Sequence, residues 1–382
     1  MKNDRKILVT GALGFIGRNL ITELHNRGYD NICECDRETT AEELDAYLAD
    51  CSFVFHLAGI NRPKVESEFT EGNRDFTETL LTGLQRADNP CGVLISSSIQ
   101  AELDNPYGKS KLAAEGLVSS YARQTGAPVF IYRLPGVFGK WCRPNYNSVV
   151  ATFCYQIARG LPITVNDPDK VISLVYIDDV VNAFITTMEG RGDFDGTFCR
   201  VSPVHEISLR SLAESIQAFR ESRSSLFVPD LGDPLQKKLY STYLSYLAED
   251  DFAYPLNMHK DARGSFTEFL KTEQFGQVSV NVAHPGITKG NHWHHTKNEK
   301  FLVVKGQACL RFRKVGETEV ISYNVSGEDL QVIDIPTGYT HSITNTGEED
   351  LVTIIWANET FDPERPDTYF EEVLISPQEG EA

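Results

Sequence analysis

"ILVTGALGFIGRNL", residues 7–20, decides how the first half of the chain is read. A short β-rich run ends at Gly11, further glycines follow at 14 and 17, and a helix-like segment continues through "GRNLITELHNRG" (17–28). Strand, glycine turn and helix in that order bring backbone N–H groups at a helix N-terminus toward an anion. Glycines allow the turn and the close approach that a dinucleotide pyrophosphate needs, so Gly11, Gly14 and Gly17, with Phe15 and Ile16 between them, are expected to bind a dinucleotide.

The surrounding sequence supports that reading. Further β-rich runs at 29–36, 52–59, 92–98 and 128–135 alternate with helical stretches. This order predicts an α/β, doubly wound parallel sheet. A residue that reads the adenosine ribose is due about 20 residues beyond the glycines. Asp36 and Arg37 stand there, and they pull in opposite directions. Aspartate suits the hydroxyls of NAD, whereas arginine suits the 2′-phosphate of NADP. Arg18, directly after the third glycine, adds a second guanidinium and tilts the expectation to NADPH.

"YGKSK" (107–111) puts a phenol and an ammonium four residues apart, on one face of a helix. A nearby cation stabilises phenolate, which would make Tyr107 a usable proton donor near neutrality. The strand-ending Ser96-Ser97-Ser98 can offer a hydroxyl to a substrate oxygen. With the glycine turn, HLAG (56–59), RLPGVFG (133–139) and YIDD (176–179), this half resembles the extended short-chain dehydrogenase/reductases, many of which act on nucleotide sugars. The resemblance implies a Rossmann-type fold, with Tyr107 as acid, Lys111 as the residue that lowers its pKa and holds ribose, and Ser98 as the carbonyl-orienting hydroxyl. It also implies Leu57 and Ala58 beside the cofactor, and Asn147 in substrate binding. Gly136 stands where the family often carries asparagine.

From about residue 251 the texture changes to short strands separated by Gly, Asn and Asp turns, which predicts an all-β sandwich or barrel. Within it, "GNHWHHTKNE" (290–299) spaces His292 and His294 two apart, hence on one face of a strand. Glu299 follows five residues later, and "PTGYTH" supplies His341. Three imidazoles and a carboxylate suit Zn²⁺ or another divalent transition metal. His295 and Trp293 fall on the opposite face and are not expected to be ligands. The pattern resembles the two motifs of the cupins and so implies a jelly-roll barrel, although Leu330 replaces the glycine usual six residues before the proline. "DARGSFTE" (261–268) resembles the entry segment of nucleotide-sugar ketose epimerases. That likeness implies contact between Arg263 and the sugar-nucleotide diphosphate. The epimerases' base matches His292, which is committed to metal, so Lys289, Tyr339 and a metal-bound water stay open as the base.

Reductase and cupin joined in one chain resemble the bifunctional enzymes of capsular polysaccharide synthesis, through stretches such as "DNPYGKSKL", "CRPNYNSVVATFCY" and "RGSFTEFLKT". That resemblance implies a UDP-linked 4-keto-6-deoxy amino sugar as substrate, epimerised at C3 and reduced at C4, and a homodimer. Two alternatives remain open: a reductase with a purely structural cupin, and a cupin dioxygenase fused to a dehydrogenase.

The domains are set at 1–248 and 249–375, with an acidic tail at 376–382. The 382 residues, 41% hydrophobic and 24% charged, suit two soluble domains. The net charge of −18 argues against a nucleic-acid or anionic-membrane partner. No run approaches the roughly 20 apolar residues of a membrane span, and no signal-peptide core is visible. The eight cysteines lack framework spacing, which fits reduced thiols in the cytoplasm.

Overall fold

The structure is a computed structural model that describes residues 5–375, so the acidic tail expected at 376–382 lies outside the described residues. The chain forms two compact units. One runs to Gln217 and includes Lys238–Ala248; the other holds Ala218–Lys237 and the residues from Glu249 onward. The sequence reading places the segment 218–237 in the N-terminal domain. It belongs to the second unit because the Lys271 N–H donates to the Leu226 carbonyl and the Val228 N–H to the Lys271 carbonyl, each at 2.8 Å.

In the first unit the strands Ile32–Cys35, Ile7–Thr10, Phe53–His56, Gly92–Ser98 and Val129–Leu134 lie side by side in that order, all parallel. Phe198–Cys199 extends the sheet in parallel, and Phe194–Asp195 closes it antiparallel. The continuous apolar runs of the sequence have a direct cause: both sheet faces are buried. Ile7 and Val9 point to one side, against Leu20 and Leu24 of helix Phe15–Asn26 and Val180 and Phe184 of helix Ile177–Met188. Leu8 and Val54 point to the other, against Leu80 and Leu84 of helix Phe76–Arg86 and Val118 of helix Pro106–Thr125. This is the doubly wound architecture expected. Its topological switch lies at Ile7–Thr10, where the strand order reverses, and ligands bind at the carboxyl ends of strands there.

The second unit packs a six-stranded and a five-stranded antiparallel sheet, as expected for a jelly roll. Phe301, Val303, Ala308, Leu310, Phe312, Ile335 and Ile343 form its core. Along Gln307–Lys314 the alternate residues Ala308, Leu310 and Phe312 face that core, while Cys309 and Arg313 are buried on the other face. The long apolar run 300–316 breaks into two strands at Gly306, whose φ of +85° suits glycine.

Candidate active sites

The glycine turn is confined by backbone on every side. A Cβ on Gly17 would lie 2.2 Å from the Gly11 carbonyl oxygen, and one on Gly11 would lie 2.8 Å from the Ala58 nitrogen. Gly14 caps helix Phe15–Asn26 without a side chain, so the helix N-terminus faces open space. A cavity of about 620 Å³ begins there. Gly11, Arg18, Leu57, Ser98, Tyr107 and Lys111 line it, and it extends past Asn147.

The three serines of strand Gly92–Ser98 separate by geometry. The Ser97 hydroxyl donates to Glu115, which also takes a bidentate bond from Arg133. The Ser96 carbonyl accepts from Lys111 Nζ at 3.0 Å. Of the three, only Ser98 stands close enough to the Tyr107 phenol to pull its pKa down, and its oxygen accepts from the Gln100 N–H. Helix Pro106–Thr125 presents the phenol and the lysine. Asn105 caps it by accepting the Gly108 N–H at 2.8 Å, and Pro106 sits in its first turn.

Burial pushes the Tyr107 phenol above its ordinary 10, and the Ser98 hydrogen bond opposes this only in part. The expected depression by Lys111 is therefore absent from this arrangement, in which the ammonium donates to Ser96. Lys111 itself is lowered to about 8 by burial, with Glu115 working in the opposite direction.

In the second unit His292, His294, Glu299 and His341 converge, with one ligand atom from each within 4.8 Å of all the others. His292 faces His341 across paired strands, with a bulge between Gly290 and His292. His294 lies one residue beyond the end of strand Thr288–Trp293, rather than on it as expected. His294 Nε2 and His341 Nε2 stand 3.5 and 3.4 Å from Glu299 Oε2. These three atoms, with His341 Nδ1, are buried without hydrogen-bond partners. Buried polar atoms are rarely left unmet, and a donor set of three nitrogens and one oxygen fits a divalent transition metal. Burial, then the neighbouring His341, lowers His292 to about 4, so it offers a neutral imidazole.

Beside this cluster lies a cavity of about 330 Å³, lined by His292, Glu299 and His341 together with Arg263, Lys289 and His259. Lys289 donates to Asn281 Oδ1 and the Val282 carbonyl, both at 2.8 Å, and to the Ser265 carbonyl at 3.3 Å. Arg263 is exposed and forks onto Asp261.

Residues 7–195 match the NAD dependent epimerase/dehydratase family, and residues 259–369 match the polysaccharide biosynthesis C-terminal domain. Over 364 residues the chain is 47% identical to UDP-2-acetamido-2,6-beta-L-arabino-hexul-4-ose reductase of Pseudomonas aeruginosa, covering 95% of this chain and 98% of that one. The crystal structure of the capsular polysaccharide assembling protein CapF from Staphylococcus aureus superposes with a TM-score of 0.91 at 50% identity, over 96% of this chain and all of that one. The chain belongs to the CapF family. A structure of CapF with the inhibitor 3-isopropenyl-tropolone is similar as well, with a TM-score of 0.87 at 47% identity, over 96% of this chain and all of that one. Membership makes the chain a nucleotide-sugar enzyme of capsular polysaccharide biosynthesis, with a nicotinamide cofactor in its reductase unit.

Within this CapF-family chain most of the sequence-predicted residues gather in the two cavities. Asp36 and Arg37 do not line the first one. They occupy the turn after strand Ile32–Cys35, where the Asp36 carboxylate accepts the Glu38 N–H at 2.8 Å. Arg18 does line it, with its guanidinium 5.1 Å from the Trp141 ring. Ala58 backs Gly11 without entering the lining. Tyr339, a candidate base, is not among the residues that line the second cavity. His295 packs with Trp293 and Tyr369, apart from the metal-competent cluster.

Sequence reasoning missed a buried relay under the first site. His56 Nδ1 meets the Thr10 hydroxyl at 2.8 Å and its Nε2 meets Thr77 at 2.9 Å. Burial, then the Lys111 charge, lowers His56 to about 3 and keeps it neutral. Thr10 in turn accepts the Ala58 N–H, so the relay fixes the loop that backs Gly11. The only sequence cue was the histidine opening HLAG.

Proposed function

We propose that the chain is a bifunctional nucleotide-sugar enzyme. Its cupin unit epimerises C3 of UDP-2-acetamido-2,6-dideoxy-β-L-arabino-hexos-4-ulose. Its N-terminal unit reduces the C4 ketone with NADPH to UDP-2-acetamido-2,6-dideoxy-L-talose, towards N-acetyl-L-fucosamine in surface polysaccharide. The observation that carries the reading is the second cavity, where His292, Glu299 and His341 of the metal-competent cluster, with its partnerless buried atoms on His294, Glu299 and His341, stand alongside Lys289 and Arg263. A cluster serving only to brace the barrel would have no need of a ligand-sized cavity at its side.

The chemistry follows from one functional group. A C4 ketone acidifies the C3 proton, so one substrate serves both sites. NADPH, when bound, supplies the hydride. Tyr107 gives its proton to the developing C4 alkoxide, Ser98 orients the carbonyl by hydrogen bonding, and Lys111 keeps positive charge beside them. Arg18, which lines the first cavity, supports NADPH over NADH, and the engagement of the Asp36 carboxylate by the Glu38 N–H works in the same direction.

A divalent ion such as Zn²⁺, when bound by His292, His294, Glu299 and His341, supplies Lewis-acid character to the second cavity. The tropolone inhibitor of CapF suits this reading, because tropolones chelate divalent metals. Lys289 contributes a cation toward the enolate oxygen. With all three N–H groups engaged it has no free lone pair, which counts against it as the proton-abstracting base. Asn147 in the first cavity and Arg263 in the second are assigned to the sugar nucleotide.

The reading includes a cytoplasmic homodimer. Eight free cysteines and the exposed Ile321 and Tyr323 on strand Val320–Ser326 support it. Among the described residues no helix is long and apolar enough to cross a membrane.

The test is incubation with the UDP-4-keto-6-deoxy sugar in D₂O without NADPH, reading deuterium at C3 by NMR. Exchange should survive Tyr107→Phe and vanish in His292→Ala or with a chelator. If the wild type shows no exchange while oxidising NADPH with the same sugar, the cupin unit is a structural partner of a 4-ketoreductase.

A further inference from the structure

The four metal-competent side chains come from three separate stretches, and one of them, His294, lies in a turn beyond the end of its strand. A ligand on a turn has to be held by something other than sheet hydrogen bonds. Asp367, more than seventy residues later, is what the turn is tied to. Its carboxylate accepts the backbone N–H of His295 at 2.9 Å, of Thr296 at 2.9 Å and of Lys297 at 2.8 Å, and the Thr296 hydroxyl at 3.1 Å. Three successive N–H groups closing on one carboxylate make an anion nest, here filled by the protein's own side chain.

The backbone of the same residue meets the histidine ring. His294 Nδ1 lies 2.6 Å from the Asp367 carbonyl oxygen. A carbonyl can only accept, so Nδ1 carries the proton and Nε2 presents its lone pair. Nε2 is the buried, partnerless atom that points at Glu299. Asp367 adopts a φ of +37°, a conformation disfavoured for a residue with a side chain, and this is what lets carbonyl and carboxylate serve the turn together. Lys297 strengthens the tie, its Nζ donating to the Pro366 carbonyl and the Thr368 hydroxyl.

We propose that Asp367 is the positioning residue of the metal centre, fixing the His294 turn through its carboxylate and the His294 tautomer through its carbonyl. It touches no ligand atom other than through His294. The inference rests on the metal reading given above and adds to it a residue outside the donor set. Partners of this kind set the affinity of metal sites by about 10–100-fold.

The test uses the full-length chain stripped of metal, with Zn²⁺ alone as the probe. Affinity is measured by competition with a chromophoric chelator, and Co²⁺ absorption reports ligand geometry. Two variants separate the contributions. Asp367→Gly keeps the carbonyl and suits the positive φ but removes the carboxylate, and Asp367→Asn restores one acceptor oxygen.

Wild type should bind one Zn²⁺ per chain. Asp367→Gly should bind about 10–100-fold more weakly with an altered Co²⁺ spectrum, and Asp367→Asn should recover part of the loss. Melting of the metal-free forms checks that both variants fold. Equal Zn²⁺ affinity and an identical Co²⁺ spectrum in wild type and Asp367→Gly would overturn the inference and leave the metal reading intact. A wild type that binds no Zn²⁺ or Co²⁺ would overturn the metal reading itself, and the inference with it.

Discussion

Replacing Lys111 with methionine should abolish reduction and yet stabilise the unit that carries it. The ammonium is almost wholly buried, and burial lowers its pKa from 10.5 to about 8. Such a lowering corresponds to about 3 kcal/mol, at about 1.4 kcal/mol per pH unit, by which the folded state disfavours the charged form. Methionine is close in shape and removes that cost, but it leaves the Ser96 carbonyl without its donor, a loss of about 1–2 kcal/mol. The net expectation is a gain of about 1–2 kcal/mol at pH 7.

The pH dependence gives the claim its signature. Below pH 8 both folded and unfolded lysine are protonated, and the wild type bears the whole penalty. Between about 8 and 10.5 the unfolded chain binds the extra proton, so wild-type stability rises with pH; above 10.5 both states are neutral and the penalty is gone. The advantage of Lys111→Met should therefore shrink from pH 8 upward and reverse within that window, at about pH 9, about one unit above the folded pKa.

Urea denaturation followed by tryptophan fluorescence measures this directly. Trp141 is the sole tryptophan of the first unit, so a Trp293→Phe, Trp356→Phe background reports that unit alone. A variant less stable than wild type at pH 7 by 1 kcal/mol or more, or a gap that stays constant between pH 7.5 and 10, would refute the reasoning.

Three further outcomes are expected. Gly17→Ala drives a Cβ to 2.2 Å from the Gly11 carbonyl oxygen, where only backbone could yield; overpacking of about 1–3 kcal/mol should weaken NADPH binding by roughly tenfold or more, read by quenching of protein fluorescence. Ser98→Ala should lower kcat for ketone reduction by roughly a hundredfold or more. Ser97→Ala, whose hydroxyl is committed to Glu115, should leave kcat within a few-fold, and equal losses in the two variants would contradict their separation. Lys289→Met strands the Val282 carbonyl and Asn281 Oδ1, so the second unit should lose about 1–3 kcal/mol in calorimetry, and an unchanged melting curve would show that those bonds are dispensable.

The sequence alone determined the architecture, because its signals are local and periodic. Apolar runs such as ILVT and GVLIS are long enough to show that both faces of a strand are buried. The glycine triplet announces a turn that only backbone can line, and the switch to alternating strands near residue 251 marks a new class of fold. Tyr107 and Lys111 were legible together because a spacing of four is itself geometry on a helix. The histidines and Glu299 were legible because their side chains suit few other purposes at that density.

Tertiary structure decided what spacing cannot encode. Three consecutive serines look alike in sequence, and only the packing of Glu115 and Arg133 beneath the sheet takes Ser97 away and leaves Ser98 to Tyr107. The segment 218–237 reads as a continuation of the first domain, and only tertiary contacts, among them the backbone bonds to Lys271 and the Arg223–Asp251 ion pair, draw it into the second. The relay Thr10–His56–Thr77 and the anchoring of His294 by Asp367 join residues up to 73 positions apart. Such contacts depend on which loops the sheets bring together, a consequence of the whole core rather than of any short stretch of chain.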